Sequence, residues 1–169
     1  MHKVPGIEMS TGSLGQGFAV CVGMAMANKL DKDPGRIYTL LGDGELQEGL
    51  IWEAAMASAH YKLDNLCAIV DWNGLQIDGS NDDVMTVSPI DEKFKSFGFN
   101  VIVIDGHDFG QIFDAFDKAR ECKGKPTVII AKTHKGRGVS FMEDQAGWHG
   151  KAPDDAQAKQ AVEELGGEV

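Results

Sequence analysis

The sequence predicts an α/β fold, a three-layer sandwich in which helices cover both faces of a mainly parallel sheet. Short apolar runs of strand length alternate with longer segments of helical periodicity, which is the pattern of repeated strand–helix units. The runs occupy residues 36–41, 66–70, 99–104 and 126–131. Because right-handed crossovers bring the carboxyl ends of parallel strands to one edge, polar residues that follow these runs are expected to gather there. The length predicts one domain over residues 1–169.

The helical segments complete the predicted sandwich. They are expected from the glycine-rich stretch 10–17 to about residue 29, over 45–60, over 89–97, from the turn at 105–108 to about residue 122, and over 153–165. In the second of these helices, the stripe that faces the core is predicted to comprise Trp52, Ala55, Met56 and Ala59.

Composition argues against several kinds of partner. The formal charge of −10 at pH 7 disfavours binding to nucleic acid or to an anionic membrane. Cys21, Cys67 and Cys122 are odd in number and far apart, which favours buried thiols in a reducing cytosol over a metal cluster or a disulfide framework. The longest apolar stretch, residues 18–27, is about half of a membrane span. We therefore expect a cytoplasmic protein.

Two strand ends predict a site for a metal ion and a diphosphate. Gly42-Asp43-Gly44 follows the first run, and Asn73 follows the second. The two glycines let the backbone turn sharply and bring amide groups close to an anion, and a helix that begins near Glu45 adds its positive end. Asp43 and Asn73 offer oxygen ligands, which suit Mg²⁺ or Ca²⁺ bridging to phosphate oxygens better than they suit zinc.

The spacing of these residues, with short motifs elsewhere, resembles a known family. Asn73 lies thirty positions after Asp43, as in the thiamine diphosphate fingerprint, and the surrounding motifs resemble those of transketolase. Over about residues 4–152 the motifs follow that family's order, at 5–17, 42–49, 61–66, 105–108, 132–138 and 148–151. Trp72 departs from the pattern, because many thiamine enzymes have Asn at this place. The resemblance implies the thiamine diphosphate-binding fold.

The resemblance assigns the cofactor and metal ligands residue by residue. The cofactor-binding set that it implies is Gly12, Ser13, Leu14, Gly42, Asp43, Gly44, Asn73, His149 and Lys151. It places residues 12–14 near the thiamine, and it adds Leu75 to Asp43 and Asn73 as a metal ligand. From the residues alone, the glycines of the first loop also fit helix capping and tight helix packing.

Two further residues have catalytic roles in the resemblance. His149 would lie over the diphosphate near the sugar hydroxyls, where it could donate hydrogen bonds or move a proton, and Lys151 would add charge to the same phosphate. Glu48 would lie at a subunit interface and couple two active sites. The alternatives are an ordinary exposed loop for His149 and Lys151, and a surface carboxylate for Glu48.

The family transfers a two-carbon ketol unit from a ketose phosphate to an aldose phosphate, in the pentose phosphate pathway. It needs a pyrimidine-binding domain and histidines that lie upstream of the matched segment, and these 169 residues contain neither. The abrupt start predicts a truncated N-terminus, and activity is expected only when another chain supplies the pyrimidine-binding domain. A homo-oligomer, a dimer, is also expected. The alternatives are another thiamine enzyme, such as a deoxyxylulose-phosphate synthase or a 2-oxoacid dehydrogenase component, and a non-catalytic assembly or regulatory module.

Overall fold

The computed structural model describes residues 4–168, and residues 1–3 and 169 of the predicted domain lie outside it. The strands are β1 Ile37–Gly42, β2 Leu66–Trp72, β3 Leu75–Gln76, β4 Gly79–Ser80, β5 Asn100–Asp105 and β6 Thr127–Lys132. The helices are α1 Gln16–Asp31, α2 Gly49–His60, α3 Asn81–Val84, α4 Ile90–Ser96, α5 Phe109–Glu121 and α6 Asp155–Glu164. Two 3-10 turns cover Gly44–Gln47 and Ala146–Trp148.

Four strands form a parallel sheet in the order β1-β2-β6-β5. In this register Gly42 lies beside Asp71, and Trp72 and Asp105 both lie beside Lys132. The carboxyl ends of all four strands therefore share one edge. Strands β3 and β4 form a small antiparallel hairpin that follows β2 directly. The predicted α/β class and the predicted parallel sheet are confirmed.

The sheet separates two apolar cores, because alternate residues of a strand face opposite sides. On one side α1, α2 and α4 pack on the sheet, and Phe18 and Phe94 are fully buried there. On the other side α5 packs against β5 and β6, with Ala115 and Ala119 buried. Truncating Phe18 or Phe94 to alanine is expected to cost roughly 3–5 kcal/mol. Helices thus lie on both faces, as the sandwich requires.

The segment after β1 differs from the predicted continuous helix over 45–60. The backbone first makes a 3-10 turn, becomes extended at Glu48 (φ −73°, ψ 126°), and enters α2 only at Gly49. The indole Nε1 of Trp52 donates to the carbonyl oxygen of Leu46 at 2.9 Å, which fastens the 3-10 turn to the helix. The prediction of one continuous helix from Glu45 is therefore wrong, because a 3-10 turn and then α2 occupy this segment.

The buried stripe of α2 is also shifted from the predicted one. Its buried residues are Ile51, Ala54, Ala55 and Ser58, whereas Met56 is 61% exposed. The Ser58 hydroxyl donates to the carbonyl oxygen of Ala54 at 2.7 Å, so a polar residue is accommodated inside the core. The inclusion of Met56 in the inward stripe is therefore a wrong prediction.

The thiols and the helices bear on the expected cellular setting. Cys21, Cys67 and Cys122 are all unpaired; Cys67 is buried and the other two are half-buried. Burial raises the pKa of the Cys67 thiol to about 11, so this group is inert at neutral pH. Between residues 4 and 168, no helix has the length and apolar character needed to cross a bilayer.

At the amino edge of the sheet, Asp64 joins three segments of the chain. Its carboxylate accepts hydrogen bonds from Lys29 Nζ and from the Gly124 amide, each at 2.9 Å. Partial burial raises the pKa of Asp64, but the bonds from Gly124 and Lys29 outweigh it and hold the pKa below 3.8. These contacts stabilise the folded state while Asp64 is ionised.

We predict that Asp64→Ala lowers the free energy of unfolding by about 1 kcal/mol at neutral pH. Because the folded-state pKa is lowered, the stabilisation is present above the unfolded value of 3.8 and disappears as the pH falls through the folded value. Urea unfolding at a series of pH values measures the difference, with Asp114→Ala on the exposed side of α5 as the control. A deficit that stays constant into acid contradicts the prediction.

Candidate cofactor and metal site

The predicted site residues lie where β1 and β2 end side by side. Asp43 follows β1 directly, and its amide donates to the carbonyl oxygen of Asp71 in β2 at 3.2 Å. Asn73 follows β2, and the β3–β4 hairpin begins two residues later. The structure thus brings Asp43 and Asn73 together at the carboxyl edge of the sheet, as their positions after the strands predict, and Leu75 lies at the start of the adjoining hairpin.

The Asp43 carboxylate is buried and held by backbone amides. Its side chain accepts from the Gly44 amide at 2.8 Å and from the Gly74 amide at 2.6 Å, and the residue is only 1% exposed. Gly74 has a φ of 77°, a conformation that favours glycine, so the residue type at this position allows its amide to reach Asp43. Each carboxylate oxygen accepts one hydrogen bond and retains a second lone pair for a cation.

Burial raises the pKa of Asp43 above its ordinary value of 3.8. The hydrogen bonds from Gly74 and Gly44 and the nearby Asn81 side chain act in the opposite direction, and the neighbouring Asp71 carboxylate raises the pKa further. A buried anion in this state is costly unless it is neutralised. A cation bound beside Asp43 would offset part of the cost of ionising this carboxyl.

A buried asparagine beside this carboxylate is only half satisfied. Asn81 is 4% exposed, and its Oδ1 accepts from Gln76 Nε2 at 2.9 Å. Its Nδ2 faces the Asp43 carboxylate closely enough to lower the pKa, yet it lacks a hydrogen bond of normal geometry within residues 4–168. A side chain attached at Gly44 would come within 3.2 Å of Gln76 Cβ, so this small pocket accepts only glycine without displacement.

The donor set fits a hard divalent cation that shares its ligands with a second molecule. Asp43 supplies one negative charge, and Asn73 supplies a neutral oxygen that accepts from the Leu75 amide at 3.0 Å. Within the described chain there is no group of three or more His, Cys, Asp or Glu side chains placed to hold a metal ion. Mg²⁺ or Ca²⁺ needs six or more oxygen ligands, so phosphate oxygens and water must complete the shell.

A second carboxylate occupies amides of the same turn. Glu45 accepts from the Gly15 amide at 2.8 Å and from the Gly42 amide at 3.2 Å. Of the amides expected to face a diphosphate, those of Gly42 and Gly44 therefore donate to Glu45 and Asp43. A diphosphate at this edge would therefore need a cation or side chains to hold it, besides any remaining amides.

The glycine-rich loop before α1 lies against this turn. Gly12, Ser13 and Leu14 are exposed, and Leu14 and Glu45 both line a cleft of about 520 Å³. Gly15 is buried, and a side chain there would meet Glu48 Cβ at 3.0 Å. Glu48 itself is exposed on the extended link between the 3-10 turn and α2. The structure therefore places Glu48 beside the predicted thiamine loop.

The loop that carries His149 and Lys151 is fastened at its start to the same sheet edge. The Thr133 hydroxyl donates to the Asp71 carboxylate, and the His134 amide donates to His107 Nε2 at 2.8 Å. A cleft of about 860 Å³ runs from Asn73 along this edge, and its lining includes Lys132, His134 and Arg137.

At the far end of this loop, His149 and Lys151 are exposed. The 3-10 turn before them contacts β4, and Lys151 Nζ lies 4.5 Å from the Trp148 ring centre. Trp148 donates from Nε1 to the carbonyl oxygen of Phe141 at 2.8 Å, which holds the turn. No hydrogen bond among residues 4–168 joins either residue to Asp43 or Asn73.

Glu45 and Asn81 belong to the site although no sequence pattern singles them out. A glutamate just after a turn usually indicates a partner for the dipole of its own helix, so its bond to the distant Gly15 amide carries no sequence signal. Asn81 lies in a polar stretch where asparagine is common in loops. Glu45 is part of the motif Gly-Asp-Gly-Glu, but the motif does not indicate the contacts that Glu45 makes.

The comparisons with known proteins identify a family. The family model for the thiamine diphosphate binding domain of transketolase matches residues 1–169. The chain is 44% identical over 165 residues to a 6-deoxy-6-sulfo-D-fructose transketolase subunit of Clostridium sp. (strain MSTE9), covering 98% of this chain and 60% of that protein. It is 45% identical over 164 residues to an apulose-4-phosphate transketolase subunit of Actinobacillus succinogenes, covering 97% of this chain and 59% of that protein.

A solved structure shows the same fold. Transketolase from Campylobacter jejuni superposes with a TM-score of 0.90 at 36% identity, covering 96% of this chain and 27% of that chain. The chain thus spans about three fifths of the length of the two curated relatives described above. The match over the full sequence and the shared fold show that the chain belongs to the family of transketolase thiamine diphosphate-binding domains.

Proposed function

We propose that this domain binds thiamine diphosphate together with Mg²⁺, or Ca²⁺ in its place. The metal ligands would be the side-chain oxygens of Asp43 and Asn73 and the backbone carbonyl oxygen of Leu75. The buried Asp43 carboxylate carries this proposal, because two amides orient it and burial leaves its charge in need of a cation. The orphaned Asn81 Nδ2 beside it offers a further donor that the present contacts do not use. Gly12, Ser13 and Leu14 face the thiamine end, and Gly42 and Gly44 shape the diphosphate end.

We further propose that the domain serves a transketolase, which moves a two-carbon ketol unit from a ketose phosphate to an aldose phosphate. Bound thiamine diphosphate supplies the nucleophilic carbon and the electron sink for this chemistry. The residues of this chain bind and orient: His149 donates hydrogen bonds or moves a proton at the sugar hydroxyls, and Lys151 adds positive charge near the diphosphate. Xylulose 5-phosphate and ribose 5-phosphate are the first donor and acceptor to test, followed by the sugars named for the two relatives.

The proposed active form contains a second chain with a pyrimidine-binding domain. Its support is that the two relatives are named as transketolase subunits. We propose a dimer of such units with the exposed Glu48 at the contact, acting in the cytoplasm in sugar phosphate metabolism of the pentose phosphate type. The three unpaired thiols suit a reducing compartment.

We predict that Asp43→Ala and Asn73→Ala each weaken Mg²⁺-dependent binding of thiamine diphosphate at least about tenfold, because each removes a metal ligand. Calorimetric titration of the cofactor into the isolated chain, with Mg²⁺ and again with a chelator, measures this. Asp114→Ala, an exposed carboxylate on α5, should leave the affinity unchanged. If the folded parent binds no cofactor at millimolar concentration, or if both variants bind like the parent, the proposed site is wrong.

Asp43 also predicts a pH dependence of stability in metal-free protein. Because the folded-state pKa is raised, the stability that this group contributes is fully present below the unfolded value of 3.8 and is lost as the pH rises through the folded value. The parent should therefore gain stability relative to Asp43→Asn as the pH falls through that window. Urea unfolding of both proteins with a chelator measures the difference, and a difference that does not change with pH contradicts the assignment.

His149 should matter for turnover more than for cofactor binding. In the chain reconstituted with its pyrimidine-binding partner, we predict that His149→Ala lowers kcat about a hundredfold. Binding of thiamine diphosphate to the isolated variant should change much less. His60→Ala, at the exposed end of α2, is the matched control. Transfer that is unaffected by His149→Ala removes its catalytic role, and absence of transfer in every reconstitution favours a non-catalytic module.

A further inference from the structure

Glu45 connects two segments that lie thirty residues apart in the sequence. Its Oε1 accepts from the Gly15 amide at 2.8 Å, and its Oε2 accepts from the Gly42 amide at 3.2 Å. One carboxylate therefore bridges the loop before α1 and the turn after β1. Glu45 is half-buried, so these bonds are partly shielded from water.

The bridge meets a need of α1. Gly15 is the N-cap of this helix, in a left-handed conformation (φ 79°), and no side chain caps the helix by hydrogen bonding. The first turn of α1 contains no acidic residue. The carboxylate of Glu45 supplies the missing negative charge and an acceptor from another part of the chain.

The loop on the other side of this bond has few constraints of its own. Residues 12–14 are exposed, and Leu14 shares the 520 Å³ cleft with Glu45. Without Glu45, no hydrogen bond within residues 4–168 joins residues 12–15 to the segment 42–49, and the close approach of Gly15 to Glu48 remains. The two ends of a ligand that spans loop and turn would then be held at a less fixed separation.

We propose that Glu45 is a positioning residue, which fixes the loop that faces the thiamine relative to the turn that faces the diphosphate. This rests on the proposed function for the identity of the ligand, but not for the bridge itself. Glu45 aids a ligand that spans both segments. It disfavours one that uses only the diphosphate end, because its negative charge lies beside that end.

Glu45 is thus expected to strengthen binding of one ligand and to weaken binding of the other, and this difference gives the test. Glu45→Gln and Glu45→Ala are titrated with thiamine diphosphate and, separately, with inorganic pyrophosphate, both with Mg²⁺. Affinity for thiamine diphosphate is expected to fall about tenfold in the alanine variant, as for loss of a charge-assisted hydrogen bond. Affinity for pyrophosphate is expected to stay the same or to rise. The glutamine variant keeps one carbonyl acceptor and is expected to lie between parent and alanine.

Amide hydrogen exchange measures the bridge without any ligand. Exchange at Gly15 and Gly42 should accelerate in both variants, while Glu53→Gln, an exposed carboxylate on α2, leaves it unchanged. Equal losses for both ligands overturn the proposal, as does unchanged exchange at the two amides. If the parent binds no thiamine diphosphate, the proposed function fails first, and exchange alone decides whether Glu45 fastens the loop.

Discussion

The carboxyl edge of this domain depends on one buried carboxylate. The Asp43 carboxylate accepts one hydrogen bond from an amide in the turn that follows β1 and another from an amide in the turn that follows β2. Removing it leaves two backbone donors without their partner, at a cost of roughly 1–3 kcal/mol for each buried group. The same contacts that orient the carboxylate toward a cation therefore also close the two strand ends. The same two hydrogen bonds therefore determine both the local fold and the geometry of the proposed ligand site.

Strand order determines which distant segments reach this carboxylate. Because β6 lies between β2 and β5, the loop that leaves β6 emerges beside Asn73 rather than at the far end of the sheet. The hydroxyl of Thr133 then bonds to Asp71, and His134 bonds to His107 in the loop after β5. Residues separated by sixty positions in the sequence become neighbours through the parallel register alone.

Periodicity and turn residues were enough to predict the four strands of the parallel sheet and the edge at which Asp43 and Asn73 meet, but not the β3–β4 hairpin. They were not enough for the segment between β1 and α2. There the extended Glu48 divides the expected helix, and the bond from Trp52 to Leu46 that supports this break joins residues of two different elements. The stripe of α2 shifted for a related reason, because the buried Ser58 is polar and the exposed Met56 is apolar.

The contacts of Glu45 and Asn81 could not be predicted from the sequence, for a different reason. Each depends on where a distant backbone amide or carboxylate lies after folding. Helical and strand patterns report burial of apolar side chains, and they contain no information about which donor a half-buried carboxylate will accept. The resemblance to transketolase predicted the family, which the match over residues 1–169 confirms, while the roles of the individual residues stay predictions.

The charge of the proposed metal ligands affects how a cation and a diphosphate would bind to the domain. Asp43 is the single anionic group among the proposed ligands, whereas Asn73 and Leu75 are neutral. A cation that arrives alone gains little, and a diphosphate that arrives alone meets two carboxylates. In the proposed site, cation and diphosphate would therefore bind together as a complex.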